Sequence, residues 1–332
     1  MIILCYESAL EYWRIARMRA GEARVLNPDK PFPLKEKHDF ALCRTKPPLI
    51  VPSSIEVIAN NSFKLTEPIH ILHGNESASR AKDGVKQHLY TGCTPSGSFV
   101  RINEKLAVCS PEFCLYQMAS RVSLVRLIEL AYEFCGTYSM PTDTLQAEQQ
   151  SGAVFKRLPL TNKKALISFV NKMHGARGKR KTIRAQRYTL ELSASPMETK
   201  LALLLTLPYK LGGYGLPCPE MNGRIRSHKK SRQGIKKNFF CDLYWPHYNL
   251  GVEYDSNLHH TGSKHIAADS KRRNEIISLG VPVITVTSKH LNSIGEFREV
   301  ASQIATRLGK RLRYKEPDFS RAHLSLQREL FG

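Results

Sequence analysis

Residues 239–255 read FFCDLYWPHYNLGVEYD, and the reading of this stretch decides the fold class. The alternation over 239–245 predicts a strand with Phe240, Asp242 and Tyr244 on one face and Phe239, Cys241 and Leu243 on the other. Pro246-His-Tyr-Asn249 is turn chemistry, and 250–255 is the returning strand. Glu253 and Asp255 are two apart on that strand and therefore share a face. An antiparallel pairing across the turn can set Asp242 beside Glu253.

Three acids on one sheet face repel one another, and a hard divalent cation such as Mg²⁺, or Mn²⁺, would offset that repulsion. Acids are otherwise scarce here, 13 in the last 162 residues, so three within one hairpin stand out. The alternative is the solvated face of an edge hairpin. With a cation, Asp242, Glu253 and Asp255 together would carry the chemistry. Such a cation polarises a phosphoryl oxygen and lowers the pKa of an attacking water, which suits phosphodiester hydrolysis.

Working outward, Ser195-Pro-Met-Glu198 fits a capping box before the apolar helix that includes 201–207. Glu198 is either the partner of Ser195 in that box or an active-site acid. Residues 222–226 read as a strand, and 266–279 as a helix closed by Gly280. A β-branched strand over 281–287 and a last helix over 294–308 follow. The order is helix, two or three antiparallel strands, helix, strand, helix: an α/β sheet flanked by helices, not a doubly wound nucleotide fold.

The upstream half predicts a mixed α+β domain. A helix over 8–19 is followed by a proline-rich loop and a short strand over 69–73, with Ile69 and Ile71 on one side and His70 and Leu72 on the other. Two short strands follow at 99–102 and 106–109. Ser110-Pro-Glu starts a helix that breaks near Ser123 and ends at Gly136. Further helices are expected over 162–174 and 180–192. Residues 1–140 show no catalytic pattern; His70, His73 and His88 are irregularly spaced and read as ordinary strand or loop histidines. The expected organisation is a regulatory or DNA-binding domain over 1–160, a basic helical linker over 161–194, a catalytic domain over 195–312 and a C-terminal tail over 313–332.

Charge supplies the partner. Lys and Arg number 50 against 29 acids, a formal charge of +21, which points to a polyanion. The stretch 171–238 holds 16 basic and only 3 acidic residues, so the surplus is concentrated there. It contains Arg180, Lys181 and Arg184, then Arg224, Arg226, Lys229 and Lys230, side chains suited to phosphate contacts that give affinity without sequence choice. DNA is the expected partner and RNA a possible one. No membrane partner is expected, since no apolar run reaches the length of a membrane span and no amphipathic helix with exposed aromatics is evident. The eight cysteines are scattered with no C-x-x-C pair, and Met1–Cys5 does not resemble a signal peptide. A cytoplasmic protein is expected.

Glu253-Tyr-Asp255-Ser-Asn-Leu-His259, Asp269-Ser-Lys-Arg272, Ile276, Leu279-Gly280 and Val283-Ile-Thr together resemble the very-short-patch-repair-like endonucleases of the restriction-endonuclease-like PD-(D/E)XK superfamily. Asp242 and Glu198 fall where that family keeps its first metal acid and its helix acid. The resemblance covers about residues 195–290 and implies an αβββαβ core and metal-dependent cleavage of DNA, in mobile-element defence or repair. It implies that Asp242 and Glu253 bind the metal. Asp255 stands where the wider superfamily has its Lys, whose role passes to no assigned residue; His259 or Lys264 could position the water or stabilise charge. Arg272, with Asp269, would orient a phosphate or support the site. Cutting both strands with one site per chain would need a homodimer or two successive nicks. Residues 106–136 faintly resemble antitoxin-like proteins of abortive-infection systems, which implies a sensing, DNA-binding or restraining role for the first half. A non-catalytic nucleic-acid-binding regulator with a nuclease-like fold is the competing expectation.

Overall fold

The computed structural model describes residues 1–21, 37–38, 55, 63–74, 84–142, 152–173, 178–230, 236–255, 272 and 274–332. Its contacts divide the chain into two units, Met1–Thr189 and Leu190–Gly332, each mixed α/β. The boundary differs from the expected one. Helices α4 (Lys163–Lys172) and α5 (Lys179–Tyr188) form no linker: both pack within the first unit. Among the described residues no helix is long and apolar enough to cross a membrane.

The first unit is built on β1 (Ile2–Leu4), β2 (Lys37–His38), β3 (Ile69–His73), β4 (Val85–Leu89), β5 (Phe99–Arg101) and β6 (Leu106–Cys109). Their order in the sheet is β2-β5-β6-β1-β3-β4. The apolar strands β1 and β6 pair in parallel at its centre and are wholly buried, as continuous apolar runs require. Helix α1 (Tyr6–Arg19) follows β1, and its Trp13 indole donates to Cys109 O at 2.9 Å. The chain then forms α2 (Pro111–Met118) and α3 (Leu124–Cys135). The expected break at Ser123 is there because Ser123 Oγ caps α3, accepting from Arg126 N at 3.0 Å. Helix α5 ends about a turn earlier than its basic pattern predicts, at Tyr188.

This unit buries a charge network. Arg14 donates twice to the Glu133 carboxylate, at 2.9 and 2.7 Å. The fully buried Arg17 donates to Glu133 O and Gly136 O at 2.9 and 2.8 Å, closing the carbonyl end of α3 with a cation.

The second unit opens with α6 (Pro196–Thr206), whose Leu201, Leu203, Leu204 and Leu205 are all buried. Strands β7 (Glu220–Lys230), β8 (Lys236–Trp245), β9 (Leu250–Asp255) and β10 (Val283–Thr287) form one sheet in the order β10-β9-β8-β7. β7 and β9 run antiparallel to β8, whereas β10 runs parallel to β9. The β9–β10 connection contains helical residues 274–278; the expected helical stretch 266–271 lies outside the described residues. Helices α7 (Ser288–Asn292), α8 (Ile294–Arg307) and α9 (Asp318–Phe331) follow.

The expected tail is instead a packed helix. Phe319, His323, Leu326 and Leu330 of α9 are buried, and His323 Nδ1 meets Gly212 O at 2.6 Å. Gly212 adopts φ +86°, and a Cβ there would lie 2.3 Å from Ala322 O, so close helix approach requires glycine.

A second departure lies inside the decisive hairpin. Met221 pairs with Leu243 and Gly223 with Cys241, but Asn222 and Asp242 between them do not pair, and Asn222 has φ +48°. Across this step the faces exchange. Tyr244 joins Phe239, Cys241, Ile225, Ile276 and Val281 in one hydrophobic cluster, although strict alternation would put 241 and 244 on opposite faces. The expected grouping of Tyr244 with Asp242 therefore fails.

Candidate functional site

Three carboxyls are positioned by three elements of the second unit. On β8 and β9, Leu243 pairs with Val252; continuing that register one step sets Asp242 opposite Glu253. The ladder bond is replaced there, because Tyr254 N donates to Asp242 Oδ2 at 2.8 Å. Glu253 is buried, and Arg272 Nη2 donates to its Oε1 at 2.6 Å, while Arg272 Nη1 donates to Phe240 O at 2.9 Å. The third carboxyl, Glu198, is buried in the first turn of α6.

Glu198 combines its two expected roles. Its backbone N–H donates to Ser195 Oγ at 3.1 Å, the first arm of the capping box. The reciprocal arm is displaced: Glu198 Oε2 accepts from Ala194 N at 2.9 Å, not from Ser195 N. The same oxygen accepts from Asn222 Nδ2 at 2.9 Å, and Asn222 also donates to Leu192 O at 2.9 Å. The left-handed backbone at Asn222 thus ties α6 to the acid face of the sheet.

The electrostatics follow from this crowding. Burial, and then the charge of Glu198 and of Glu253, push Asp242 up to about 8; the Tyr254 N–H and the Arg272 guanidinium pull the other way without prevailing. Burial also holds Glu198 above the usual carboxylate range, against the hydrogen bonds from Ala194, Asn222 and Ser195. Next to the acids, Cys241 is pushed up to about 12, first by burial and then by Glu253 and Asp242. The Cys241 thiol is therefore protonated at neutral pH, a core side chain and no nucleophile.

The remaining expected residues divide three ways. Asp255 ends β9, paired in register with Thr287 of β10, two residues beyond Glu253; the charges that dominate Asp242 are those of Glu198, Glu253 and Arg272. His259, Lys264 and Asp269 lie outside the described residues. Among the basic residues, Arg180 and Arg184 are exposed on α5, but Lys181 is half-buried and donates its ammonium to Val122 O, so it anchors its helix and is not free for phosphate. On β7, exposed Arg224 donates through Nε to Asn238 Oδ1 at 2.9 Å, and the side chains of Arg226, Lys229 and Lys230 lie outside the description. The basic stretch 171–238 is therefore shared between the two units.

Asn222 was not anticipated. Its one signal in the sequence is the Asn-Gly pair inside a strand pattern, since Asn tolerates the left-handed region and Gly marks a close approach. Gly223 confirms that approach: a Cβ there would lie 2.5 Å from Tyr244 Cβ.

Among the described residues no group of three or more His, Cys, Asp or Glu side chains is gathered tightly enough to hold a metal ion. Comparison of the chain with family models, with characterised proteins and with solved structures returns no match.

Proposed function

We propose that the protein is a metal-dependent endodeoxyribonuclease with its active site at Glu198, Asp242 and Glu253. One observation carries this reading: the carboxyls of Glu198 on α6, Asp242 on β8 and Glu253 on β9 come together, and their mutual charge, with burial, pushes Asp242 well above the ordinary carboxylate range. Carboxyls perturbed by burial and by specific charged neighbours cluster at functional sites. The order α6, β7, β8, β9, helical residues 274–278 and β10 supports a restriction-endonuclease-like αβββαβ core.

An all-oxygen, partly desolvated donor set suits a hard divalent cation, Mg²⁺ or Mn²⁺, which would take the place of the Asp242 proton. Asp242 and Glu253 would hold it, and when bound it would supply Lewis-acid polarisation of the phosphoryl oxygen and a more acidic water. Arg272 would exchange its hold on Glu253 for a phosphate oxygen, Asn222 would keep Glu198 oriented, and Asp255 would flank the site. His259 and Lys264 remain the proposed water-positioning groups. Exposed Arg180, Arg184 and Arg224 would bind the DNA backbone. A cytoplasmic location, a role in mobile-element defence or repair, and dimerisation for double-strand cutting belong to the same proposal.

A second reading, a nucleic-acid-binding regulator without catalysis, is favoured by one feature: the Arg272 guanidinium pairs with Glu253 at 2.6 Å and neutralises it. Incubating supercoiled and single-stranded DNA, and RNA at equal salt, with Mg²⁺, Mn²⁺ or EDTA separates the readings. Metal-dependent cutting of DNA that Asp242→Asn and Glu253→Gln abolish supports the nuclease. Tight, salt-sensitive binding with no cutting by the native chain supports the regulator, and preferential cutting of RNA changes the substrate.

A further inference from the structure

The first unit holds a cluster that the proposed nuclease chemistry does not use. His70 on β3 and His88 on β4 are brought together by the parallel pairing of their strands, in which His70 is the partner of Lys86 and His88 that of Leu72. His88 Nε2 lies 3.0 Å from His70 Nδ1. Glu7 Oε2, at the start of α1, approaches the same His70 nitrogen to 2.9 Å. Ser8 Oγ accepts from His70 N at 2.8 Å and fixes that strand against the helix.

Tyr6 completes the cluster in a costly conformation. Its φ is +47°, in the left-handed region that a bulky residue enters at a cost of roughly 1–3 kcal/mol. The strain places the Tyr6 ring 4.4 Å from the His88 ring and beneath the Arg121 guanidinium, whose Cζ is 4.9 Å from the ring centroid. Arg121 is thereby stacked and oriented in advance.

Glu7, Ser8, His70 and Arg121 of this cluster line a cavity of about 360 Å³, together with Glu11, Thr66, Glu67, Pro68 and Lys86. That volume lies at the lower end of small-molecule sites. Its hydrogen-bonding capacity is unevenly used. The Glu11 carboxylate is occupied by Thr66 N and Thr66 Oγ1, both at 2.8 Å. Arg121 only approaches Glu7 Oε1, at 3.9 Å, and neither the Arg121 guanidinium nor the Lys86 ammonium donates a hydrogen bond among the described residues. The open capacity is thus two cations, which ask for an anionic group, beside Glu7 Oε1 and the exposed Glu67 carboxylate, which ask for donors.

We infer that this cavity is a binding site for a small phosphate ester that also carries a hydroxyl or amine donor, of the size of a sugar phosphate or mononucleotide. Arg121 and Lys86 take the phosphate, Glu7 Oε1 takes the donor, and His70, backed by His88, lines the site beside them. Burial pushes His88 down to about 4, with His70 and Arg121 adding to the effect, so its ring stays neutral beside the cations.

The test titrates the full chain with ribose 5-phosphate, ribose and inorganic phosphate, read by calorimetry and by the imidazole ¹⁵N resonances of His70 and His88. Ribose 5-phosphate is expected to bind tightest and to move both resonances. Arg121→Gln and Glu7→Gln should each weaken it by about tenfold or more, the effect of losing one charge-assisted hydrogen bond. The pair Arg180→Gln and Arg184→Gln should leave that binding unchanged. If Arg121→Gln fails to fold, exposed Lys86→Gln decides in its place. No binding at millimolar ribose 5-phosphate overturns the inference. So does binding that survives the cavity variants and is lost with Arg180 and Arg184, which would locate the phosphate on the basic surface.

Discussion

Glu133 in the first unit is a buried carboxyl and Asp242 in the second a half-buried one; loss of water pushes both upward, yet they finish on opposite sides of the ordinary range. Around Glu133 the Arg14 guanidinium, its hydrogen bonds, the Met140 N–H and Arg17 outweigh burial and hold the carboxyl low. Around Asp242 the neighbours are two more acids and a single arginine already engaged with Glu253, so the carboxyl rises to about 8. One residue class, withdrawn from water fully in one place and in part in the other, becomes a structural ion pair in the first and a frustrated cluster in the second. Burial sets the scale, but the sign belongs to the neighbours.

The comparison breaks most readily at Glu133. Glu133→Gln leaves Arg14 and Arg17 buried with less than their partner, and should cost about 3–5 kcal/mol in urea unfolding at pH 7. A cost near zero would mean that the first unit's network contributes nothing net. Next in size is the pH dependence, where the two sites oppose each other. Glu133, with its folded value lowered, contributes stability that is present above its ordinary value of 4.5 and is lost as pH falls below it. Asp242 binds a proton more tightly folded than unfolded between its ordinary 3.8 and about 8, so its contribution is lost as pH rises through that window. Asp242→Asn should therefore gain on the native chain at pH 8, with the gain vanishing towards pH 4. Equal curves for the two chains would refute the crowding on which the proposed active site rests.

Asn222→Ala tests how the cluster is held. It removes two hydrogen bonds and puts a Cβ residue without a compensating side chain at φ +48°, for an expected loss of about 1–2 kcal/mol. Asn222→Gly should recover the backbone part only. The smallest effect is at the surface: replacing Arg180 and Arg184 by Gln should weaken DNA binding alike for all sequences and lower the salt dependence by about one counterion per arginine. Retention of the full salt slope would remove α5 from the DNA-binding surface.

Much of the local structure is legible along the chain. Ser110, Ser123, Asn162 and Ser195 announce helix starts, and each accepts a backbone N–H as a cap. The hairpin over 239–255 falls where alternation and Pro246 predict it, and β9 has the expected bounds. The acid pair Asp242 and Glu253 follows from that register. Less legible is α9, whose residues read as a tail because its partner, the turn at Gly212, is 111 residues from His323 in the chain. The face exchange at Asn222 and Asp242 was hidden for a similar reason: alternation assumes an unbroken ladder.

Caps, turns and strand alternation depend on residues a few positions apart, so the chain carries them openly. The pairing of His70 with His88, the tie from Asn222 to Glu198 and the sign of each buried carboxyl depend on sheet order and on how strands and helices pack. Distances between such groups, and the water excluded from them, exist only once the elements have come together, and electrostatic energy depends on both.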